Sequence, residues 1–398
     1  MTKLKSQSVP SFVSRPELSA NVCGIVEAMS IAYNTKVYDL KRAGIELCVL
    51  SLGEAFFELP EVDFRDLPHP AIFHYSDSRG IPELRESIAA YYGSQYGARV
   101  DPAREILITA GSKAAIYMAL LCVLDPGDEV LIPEPAWVSY TEQVRLAHGS
   151  AVGIPHSEPI ERWERYVTSR TKVLIVNNPH NPTGYRYSAA ELRALVDLAK
   201  RHGLWLFSDE AYSDFTLDRN FVTTAHYDED KTNVVVFNSI SKNYGISGWR
   251  LGYVIAGEAL VDQILKVQQH VVTCAPTILE YYIAKHFERI LDVTKPQIAA
   301  LIDKRVRIAA YMESIGLVCS PGDCTFYFFL CIDPSNLTSE QFATRLLEEY
   351  HIAVVPGIGY GNSCDRFVRV SIGTECSDDI TRALLEIKRF IDATSISN

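Results

Sequence analysis

The sequence of 398 residues lacks the features that would assign it to a membrane, secreted or metal-binding class. No apolar run approaches the roughly 20 residues that a membrane-spanning helix needs. Residues 1–10 are largely polar, so we expect no signal peptide. The nine cysteines are scattered, with no CxxC pair and no Cys/His cluster at zinc spacing. We therefore predict a cytoplasmic protein with free thiols, no membrane span and no metal site.

Positive charge is also scarce in this chain. Its 38 Lys and Arg residues against 49 Asp and Glu residues give a formal net charge of -11. This balance argues against general binding to nucleic acid or to anionic membranes, because both need basic patches. It does not exclude small anionic substrates, for which a few arginines suffice. At this length, a hydrophobic content of 47% is enough for two domains and a large core.

Short apolar strands alternate with glycine turns and helices from Ile106 onward. Continuous apolar strands in such an alternation indicate a parallel sheet whose two faces are both covered. We predict an α/β fold: a mostly parallel sheet covered by helices on both faces, followed by a smaller α+β domain. The predicted large domain spans residues 49-290 and the small domain spans 291-398. Residues 1-48 are expected to pack with the small domain or with a dimer partner.

Polar residues follow the predicted strand ends and should gather on one rim of the sheet, where ligands bind in such folds. They are Gly111, Asn181, Asp209 and Lys242. Lys242 lies between hydroxyl residues and glycines in the turn after an apolar strand. A lysine amine in such surroundings can act as a nucleophile or form an imine with an aldehyde. The alternative, commoner for a single lysine, is a solvated loop residue.

Several other residues each leave two interpretations open. The turn Gly111-Ser112-Lys113 leads into a helix, so its free amides could bind phosphate, although any strand-to-helix turn can use Gly-Ser. Asp209 could pair with an arginine or hold a protonated ring nitrogen. Arg250 with Ser239 could bind a phosphate, or Arg250 could lie at the surface. Trp137 could stack on a flat ring or fill the core.

In combination, these motifs resemble those of the pyridoxal-phosphate enzymes of fold type I, specifically the class I/II aminotransferases of the aspartate aminotransferase superfamily. The motifs occur in the family's order from about Leu50 to the C-terminus. They are Tyr75 with Arg79-Gly80-Ile81-Pro82-Glu83-Leu84-Arg85, Asn177-Asn178-Pro179-His180-Asn181-Pro182-Thr183-Gly184, Asp209-Glu210-Ala211-Tyr212, Ser239-x-Ser241-Lys242 with Gly248-x-Arg250, Pro356-Gly357-x-x-Tyr360-Gly361, and Phe367-Val368-Arg369-Val370-Ser371.

The resemblance implies a role around pyridoxal 5'-phosphate for each catalytic residue. Lys242 would hold the cofactor as an internal aldimine and shuttle a proton between the substrate Cα and the cofactor C4′. Asp209 would pair with the pyridinium nitrogen and keep it protonated. Asn181 and Tyr212 would bond the phenolate oxygen, and Trp137 would stack on the ring.

The same resemblance implies the binding residues. The phosphate would be bound by Gly111, Ser112 and Lys113, chiefly through their backbone and the Ser112 hydroxyl, together with Ser239 and Arg250. Tyr75 would reach the phosphate of the neighbouring subunit, so a homodimer is the expected working unit. Arg369 would hold the substrate α-carboxylate together with Asn181, and Gly53 would contribute its backbone nearby.

Two elements depart from the family pattern, and both would shape substrate access. The segment Gly53-Glu54-Ala55-Phe56-Phe57 lacks the usual Pro-Asp, and Asp323-Cys324-Thr325-Phe326-Tyr327 lacks the usual glycine. The aromatic residues Phe56, Phe57, Tyr327 and Tyr360 indicate an apolar or aromatic side-chain pocket.

The predicted activity is a ping-pong transamination, in which an L-α-amino acid gives its amino group to the cofactor and a 2-oxo acid takes it away. The alternative is a lyase or cyclase that uses the same cofactor for β/γ-elimination or ring closure. A more remote alternative is a non-catalytic effector-binding domain, as in some transcription regulators. Those regulators carry a preceding DNA-binding domain, whereas the motifs here begin by Leu50 in an acidic chain.

Overall fold

The computed structural model describes residues 17–217 and 220–395. Its strands are β1 (Cys48–Val49), β2 (Ile106–Thr109), β3 (Glu129–Pro133), β4 (Ser150–Ile154), β5 (Thr171–Asn177), β6 (Trp205–Asp209), β7 (Val234–Ser239), β8 (Gly252–Ile255), β9 (Tyr327–Cys331), β10 (Ile352–Ala353), β11 (Val355–Pro356) and β12 (Phe367–Ser371). Its helices are α1 (Ala20–Cys23), α2 (Met29–Arg42), α3 (Pro82–Tyr96), α4 (Ser112–Val123), α5 (Tyr140–Leu146), α6 (Ala189–His202), α7 (Ile240–Asn243), α8 (Glu258–Val271), α9 (Thr277–Ser314), α10 (Ser339–Tyr350) and α11 (Ser377–Ala393).

A seven-stranded sheet with the order β2-β8-β7-β6-β5-β3-β4 forms the centre of the larger unit. Its strands are parallel except β8, which runs antiparallel to β2 and β7. Side chains alternate between two cores: Ile106 and Ile108 of β2 enter one, and Leu107 enters the other. Both faces are therefore buried, as the continuous apolar strands predict. The predicted fold class is confirmed, with β8 as the one departure from parallel order in this sheet.

The smaller unit has its own core around a three-stranded antiparallel sheet, β11-β12-β9. Helices α10 and α11 pack into this core through Phe342 and Phe390. The long helix α9 connects the two units: its residue Leu291 lies in the core of the large sheet, and Ile298 lies in the core of the small one. The domain boundary expected between residues 290 and 291 falls inside this helix.

Helix α2 and strand β1 pack against the small unit. The hydroxyl of Tyr33 on α2 shares a hydrogen bond of 2.9 Å with Thr344 on α10, and β1 pairs in parallel with β10. Helix α1 lies instead beside α5 of the large unit, where the Val26 amide donates to the Glu142 carboxylate. Residues 1–16 of the predicted N-terminal segment lie outside the described residues. Among the described helices, none has the length and apolar character to cross a membrane.

Candidate active site

The carboxyl ends of β5, β6 and β7 open onto a cavity of about 490 Å³. Parallel strands deliver their terminal polar residues to the same rim, which explains why distant motifs meet here. The large unit contributes Ser112, Lys113, Trp137, Asn177, Asn181, Asp209, Tyr212, Ser239, Lys242 and Arg250. Helix α2 contributes Ile31 and Asn34, the following segment contributes Gly53, and the small unit contributes Tyr327 and Arg369.

Lys242 lies on the short helix α7, which follows β7 directly, and its Nζ donates a hydrogen bond of 2.5 Å to the Gly53 carbonyl. Burial lowers the pKa of this ammonium to about 8, and the Glu54 carboxylate acts in the opposite direction. The lowered pKa gives a larger neutral fraction near neutral pH than an exposed lysine has. Lys242 therefore has the environment of a nucleophilic or proton-carrying amine rather than of a solvated loop lysine.

Asp209 ends β6 and is buried on the floor of the cavity. One carboxylate oxygen accepts from the Ala211 amide at 3.1 Å, and the other accepts from the Tyr140 hydroxyl at 2.7 Å. Burial raises the pKa of this carboxyl, while its two hydrogen bonds and the Lys242 charge act against that rise. It forms no ion pair with a described arginine, so a cationic group in the cavity remains its natural partner.

A turn without a side-chain cap lies at the start of helix α4. Gly111 precedes the helix with a φ of 90°, and no side chain caps the first-turn amides. A Cβ at this position would lie 2.6 Å from an Arg250 guanidinium nitrogen, so glycine is what lets Arg250 approach the turn. Arg250 makes no ion pair with any described residue, and the Ser239 hydroxyl lies on the same cavity wall. Free amides, a hydroxyl and a guanidinium without a carboxylate fit a phosphate group.

Trp137 forms one side of the cavity and is half-buried. Its ring meets the Tyr140 ring edge-on at 5.2 Å, and the Lys113 ammonium lies over it at 4.8 Å from the ring centroid. The indole is therefore not a simple core residue, since it retains accessible surface in the cavity. It has the flat surface that ring stacking needs.

Arg369 projects from β12, is buried and lines the cavity. Its Nη2 donates to the Ser51 carbonyl at 2.7 Å and its Nη1 donates to the Asn181 side-chain oxygen at 3.2 Å. The guanidinium lies 4.5 Å from the centroid of the Tyr327 ring. Its Nε has no acceptor among the described residues, so a bound carboxylate would satisfy it. The neighbouring Arg366 bonds instead to Asp333.

Three contacts in the site have no counterpart in the sequence motifs. Tyr140 donates to Asp209, and the hydroxyls of Tyr212 and Tyr327 share a hydrogen bond of 2.8 Å. The Asn181 backbone amide donates to the Asn177 side-chain oxygen at 2.6 Å. This bond fixes the turn that carries Asn181. For Tyr140 a signal was present, because it follows Trp137 by three residues at the start of a helix.

Some predicted residues do not reach the cavity within this chain. Tyr75 is 82% exposed and does not line it. The aromatic pocket inferred from four residues was largely wrong, because only Tyr327 lines the cavity. Phe56 is 69% exposed, and Phe57 turns away to stack on Phe215 at 6.4 Å. The sequence motifs did not predict the direction in which these loop side chains point.

Comparison with known proteins agrees with this geometry. Residues 60–387 match the family model described as aminotransferase class I and II. The chain belongs to this family. It is 32% identical to an aspartate aminotransferase of Pyrococcus abyssi over 89% of this chain and 95% of that one. It is also 32% identical to aromatic-amino-acid aminotransferase 2 of Thermococcus litoralis, over 89% and 95%.

The solved structures give the same answer for the fold. Aspartate aminotransferase from Thermus thermophilus with maleate superimposes with a TM-score of 0.86 at 29% identity, covering 94% of this chain and all of that one. The aminotransferase is therefore of fold type I, uses pyridoxal phosphate and catalyses transamination. The predicted family, cofactor and reaction are confirmed, and the lyase alternative is not favoured.

Proposed function

We propose that the cavity exchanges an amino group between an L-α-amino acid and a 2-oxo acid, with Lys242 as the cofactor-binding and proton-carrying residue. The observation that carries this proposal is the Lys242 amine with its lowered pKa, in a cavity that Asp209 and Arg369 also line. When bound, pyridoxal phosphate supplies an electron sink for the bond that breaks at the substrate Cα. Lys242 Nζ would accept the proton that leaves the substrate Cα and would later donate it again.

The other roles follow from charge and hydrogen-bonding capacity. We assign Asp209 to the protonated ring nitrogen, because its buried carboxylate has no cationic partner among described residues except the nearby Lys242 charge. Asn181 and Tyr212 are assigned to the phenolate oxygen, and Trp137 to the ring face. The phosphate is assigned to Gly111, Ser112, Ser239 and Arg250 and to the backbone amide of Lys113, whose ammonium lies over the Trp137 ring instead. The α-carboxylate is assigned to Arg369 with Asn181 and the Gly53 backbone.

A half-reaction experiment tests this function. The purified holoenzyme is mixed with one amino acid at a time, without an acceptor, and followed by its cofactor absorbance. Transamination releases one equivalent of 2-oxo acid and leaves the cofactor in its amino form. Release of ammonia, with the starting absorbance restored, would contradict the proposal.

We further propose that the preferred substrates carry an acidic side chain, and that the Lys113 ammonium binds it. Arg369 and Arg250 are assigned to the α-carboxylate and the phosphate, which leaves Lys113 as an available cation on the Trp137 side of the cavity. It makes no ion pair with a described residue, and burial together with Arg250 lowers its pKa. A second carboxylate would relieve this unpaired charge. The aspartate aminotransferases among the relatives favour the same substrate class.

Replacing Lys113 with methionine should therefore change specificity. We expect kcat/KM for aspartate or glutamate to fall roughly 30-fold or more, because a buried carboxylate loses its partner. The value for alanine or phenylalanine should change less than about threefold, since methionine keeps the stem that packs on Trp137. Lys266→Met on helix α8 is the surface control. Equal losses for all donors would show that Lys113 acts on the cofactor instead.

We propose a homodimer in which Tyr75 reaches the phosphate site of the neighbouring subunit. Two adjoining segments, connected by the bond between the Ser76 amide and the Thr277 hydroxyl, expose large apolar side chains. These are Phe73, Tyr75, Val271 and Val272. Exposed apolar groups on adjoining segments favour an interface. Sedimentation velocity at micromolar concentration should give twice the mass of one chain, and a monomer would contradict the proposal.

We also propose that the enzyme works in the cytoplasm. All nine cysteines are free, although several lie in the same small unit. A secreted protein would more often join such residues in disulfides. Thiol titration of the denatured protein, isolated without reductant, should find nine free thiols, and a lower count would speak against this location.

A further inference from the structure

Arg305 is a buried cation without an acidic partner. It lies on helix α9, is 2% exposed and makes no ion pair with any described residue. Burial lowers the pKa of its guanidinium to about 10. Burying a charge is unfavourable unless hydrogen bonds compensate for the lost water. The hydrogen bonds of this side chain must therefore provide that compensation.

The guanidinium bonds to backbone carbonyls of both structural units. Its Nη1 donates to the Tyr327 carbonyl, and its Nη2 donates to the Gly322 carbonyl at 2.7 Å and the Thr183 carbonyl at 3.4 Å. Its flat face lies 4.1 Å from the centroid of the Phe328 ring. Thr183 belongs to the turn after β5 in the large unit, whereas Gly322 and Tyr327 belong to the small unit. The guanidinium is planar and carries several N–H donors, so it can bond to carbonyl groups from separate parts of the chain.

These two segments carry the side chains that hold Arg369 in place. The turn of Thr183 also carries Asn181, whose side-chain oxygen accepts from Arg369 at 3.2 Å. Tyr327 supplies the ring beneath the Arg369 guanidinium. A shift between the two segments would therefore move Asn181 and the Tyr327 ring relative to each other, while the Ser51 carbonyl, a third contact of Arg369, belongs to neither segment.

The two segments are in close contact. The contact lies at the stretch of the small unit that lacks the family's usual glycine. The Cys324 amide donates to the Gly184 carbonyl at 2.9 Å, and a Cβ on Gly184 would lie 2.3 Å from the Cys324 carbonyl. Thr325 is buried here with a φ of 62°, a strained backbone conformation for a β-branched residue. Arg305 is placed to hold this strained turn against the turn of Asn181.

We infer that Arg305 is a positioning residue for the substrate carboxylate site, because it fixes Asn181 and Tyr327 around Arg369. The inference rests on the proposed role of Arg369 in binding the α-carboxylate. Arg305 itself does not line the cavity. It acts by setting the distance between two carboxylate-site supports that come from different structural units.

The test compares ligand affinity in Arg305→Lys and Arg305→Met holoenzymes. The probe is the 2-methyl analogue of the best amino donor, which keeps the α-carboxylate but has no Cα proton to lose. Lysine keeps the charge but cannot join three carbonyls, so the Kd of the probe should rise about tenfold, within the range expected when buried hydrogen bonds are lost. The Kd of pyridoxal phosphate for the apoenzyme should rise less, about threefold at most, because only Asn181 and Tyr212 among its assigned contacts depend on these segments, whereas the phosphate turn and Lys242 do not.

Arg307→Lys, two residues further on the exposed side of α9, is the matched control and should leave the probe Kd unchanged. If the methionine variant does not fold, the lysine variant decides. An unchanged probe Kd in Arg305→Lys, whatever its thermal stability, would overturn the inference. Arg369→Lys separates the two proposals: if it too leaves the probe Kd unchanged, the assigned role of Arg369 has failed. If only Arg369→Lys weakens the probe, the inference about Arg305 alone has failed.

Discussion

The Lys242→Ala variant is expected to bind pyridoxal phosphate without a covalent bond and to lose transamination by more than about 10⁴-fold, the upper range for removal of a proton-transfer group. The reason is that one amine serves both steps, attachment and proton transfer, at a position where burial lowers its pKa to about 8. The measurement is borohydride reduction of the holoenzyme followed by peptide mass analysis, with kcat/KM measured in parallel. In the unaltered protein the reduced cofactor should be found on the peptide that contains Lys242.

The control is Lys113→Met, which removes the other lysine ammonium of the cavity. That variant should still carry reducible cofactor on Lys242, because Lys113 lies over the Trp137 ring and is assigned to the substrate side chain. Covalent cofactor that persists in Lys242→Ala would show that a different lysine is the attachment site. Such a result would contradict the assignment even if activity were low.

The parts of the site that sequence could predict are those fixed by regular structure. Asp209 and Lys242 follow buried strands in a parallel sheet, so their arrival at one rim depends only on strand direction. The same logic predicts that the turn of Gly111, which follows β2, lies near the same rim, and the next residue, Ser112, lines the cavity. In each case the local sequence pattern predicts a strand or a helix, and it also shows at which end of that element the residue lies.

Contacts between the two structural units could not be predicted in this way. Tyr327 meets Tyr212 across 115 residues of sequence, and Arg305 meets Thr183 across 122. These pairs depend on how the small unit packs against the large one through α9. The local periodicity of the sequence does not predict this packing. The failure at Phe57 has a related cause: it lies in an irregular segment, where neither a period of 2 nor a period of 3.6 sets the direction of a side chain.

Replacement of Asp209 by asparagine should lower kcat/KM for every amino donor by about 10³-fold, the upper range for loss of one preorganised electrostatic group. The carboxylate is the negative partner assigned to the protonated ring nitrogen, and an amide carries no charge to hold that proton. With the ring nitrogen neutral, the cofactor draws electrons from the substrate Cα less strongly. Stopped-flow half-reactions should place the loss in the proton-transfer step rather than in substrate binding.

Asparagine has nearly the shape of aspartate, so its oxygen can still accept from the Ala211 amide or the Tyr140 hydroxyl. The fold and the Kd of the cofactor should therefore change far less than the rate. Asp214→Asn provides the contrast: this half-buried carboxylate in the segment after β6 accepts from Tyr91 and Tyr96 and does not line the cavity. Its replacement should affect stability more than the proton-transfer rate. If Asp209→Asn retained activity within tenfold of the unaltered enzyme, the charge of Asp209 would not be what keeps the ring nitrogen protonated.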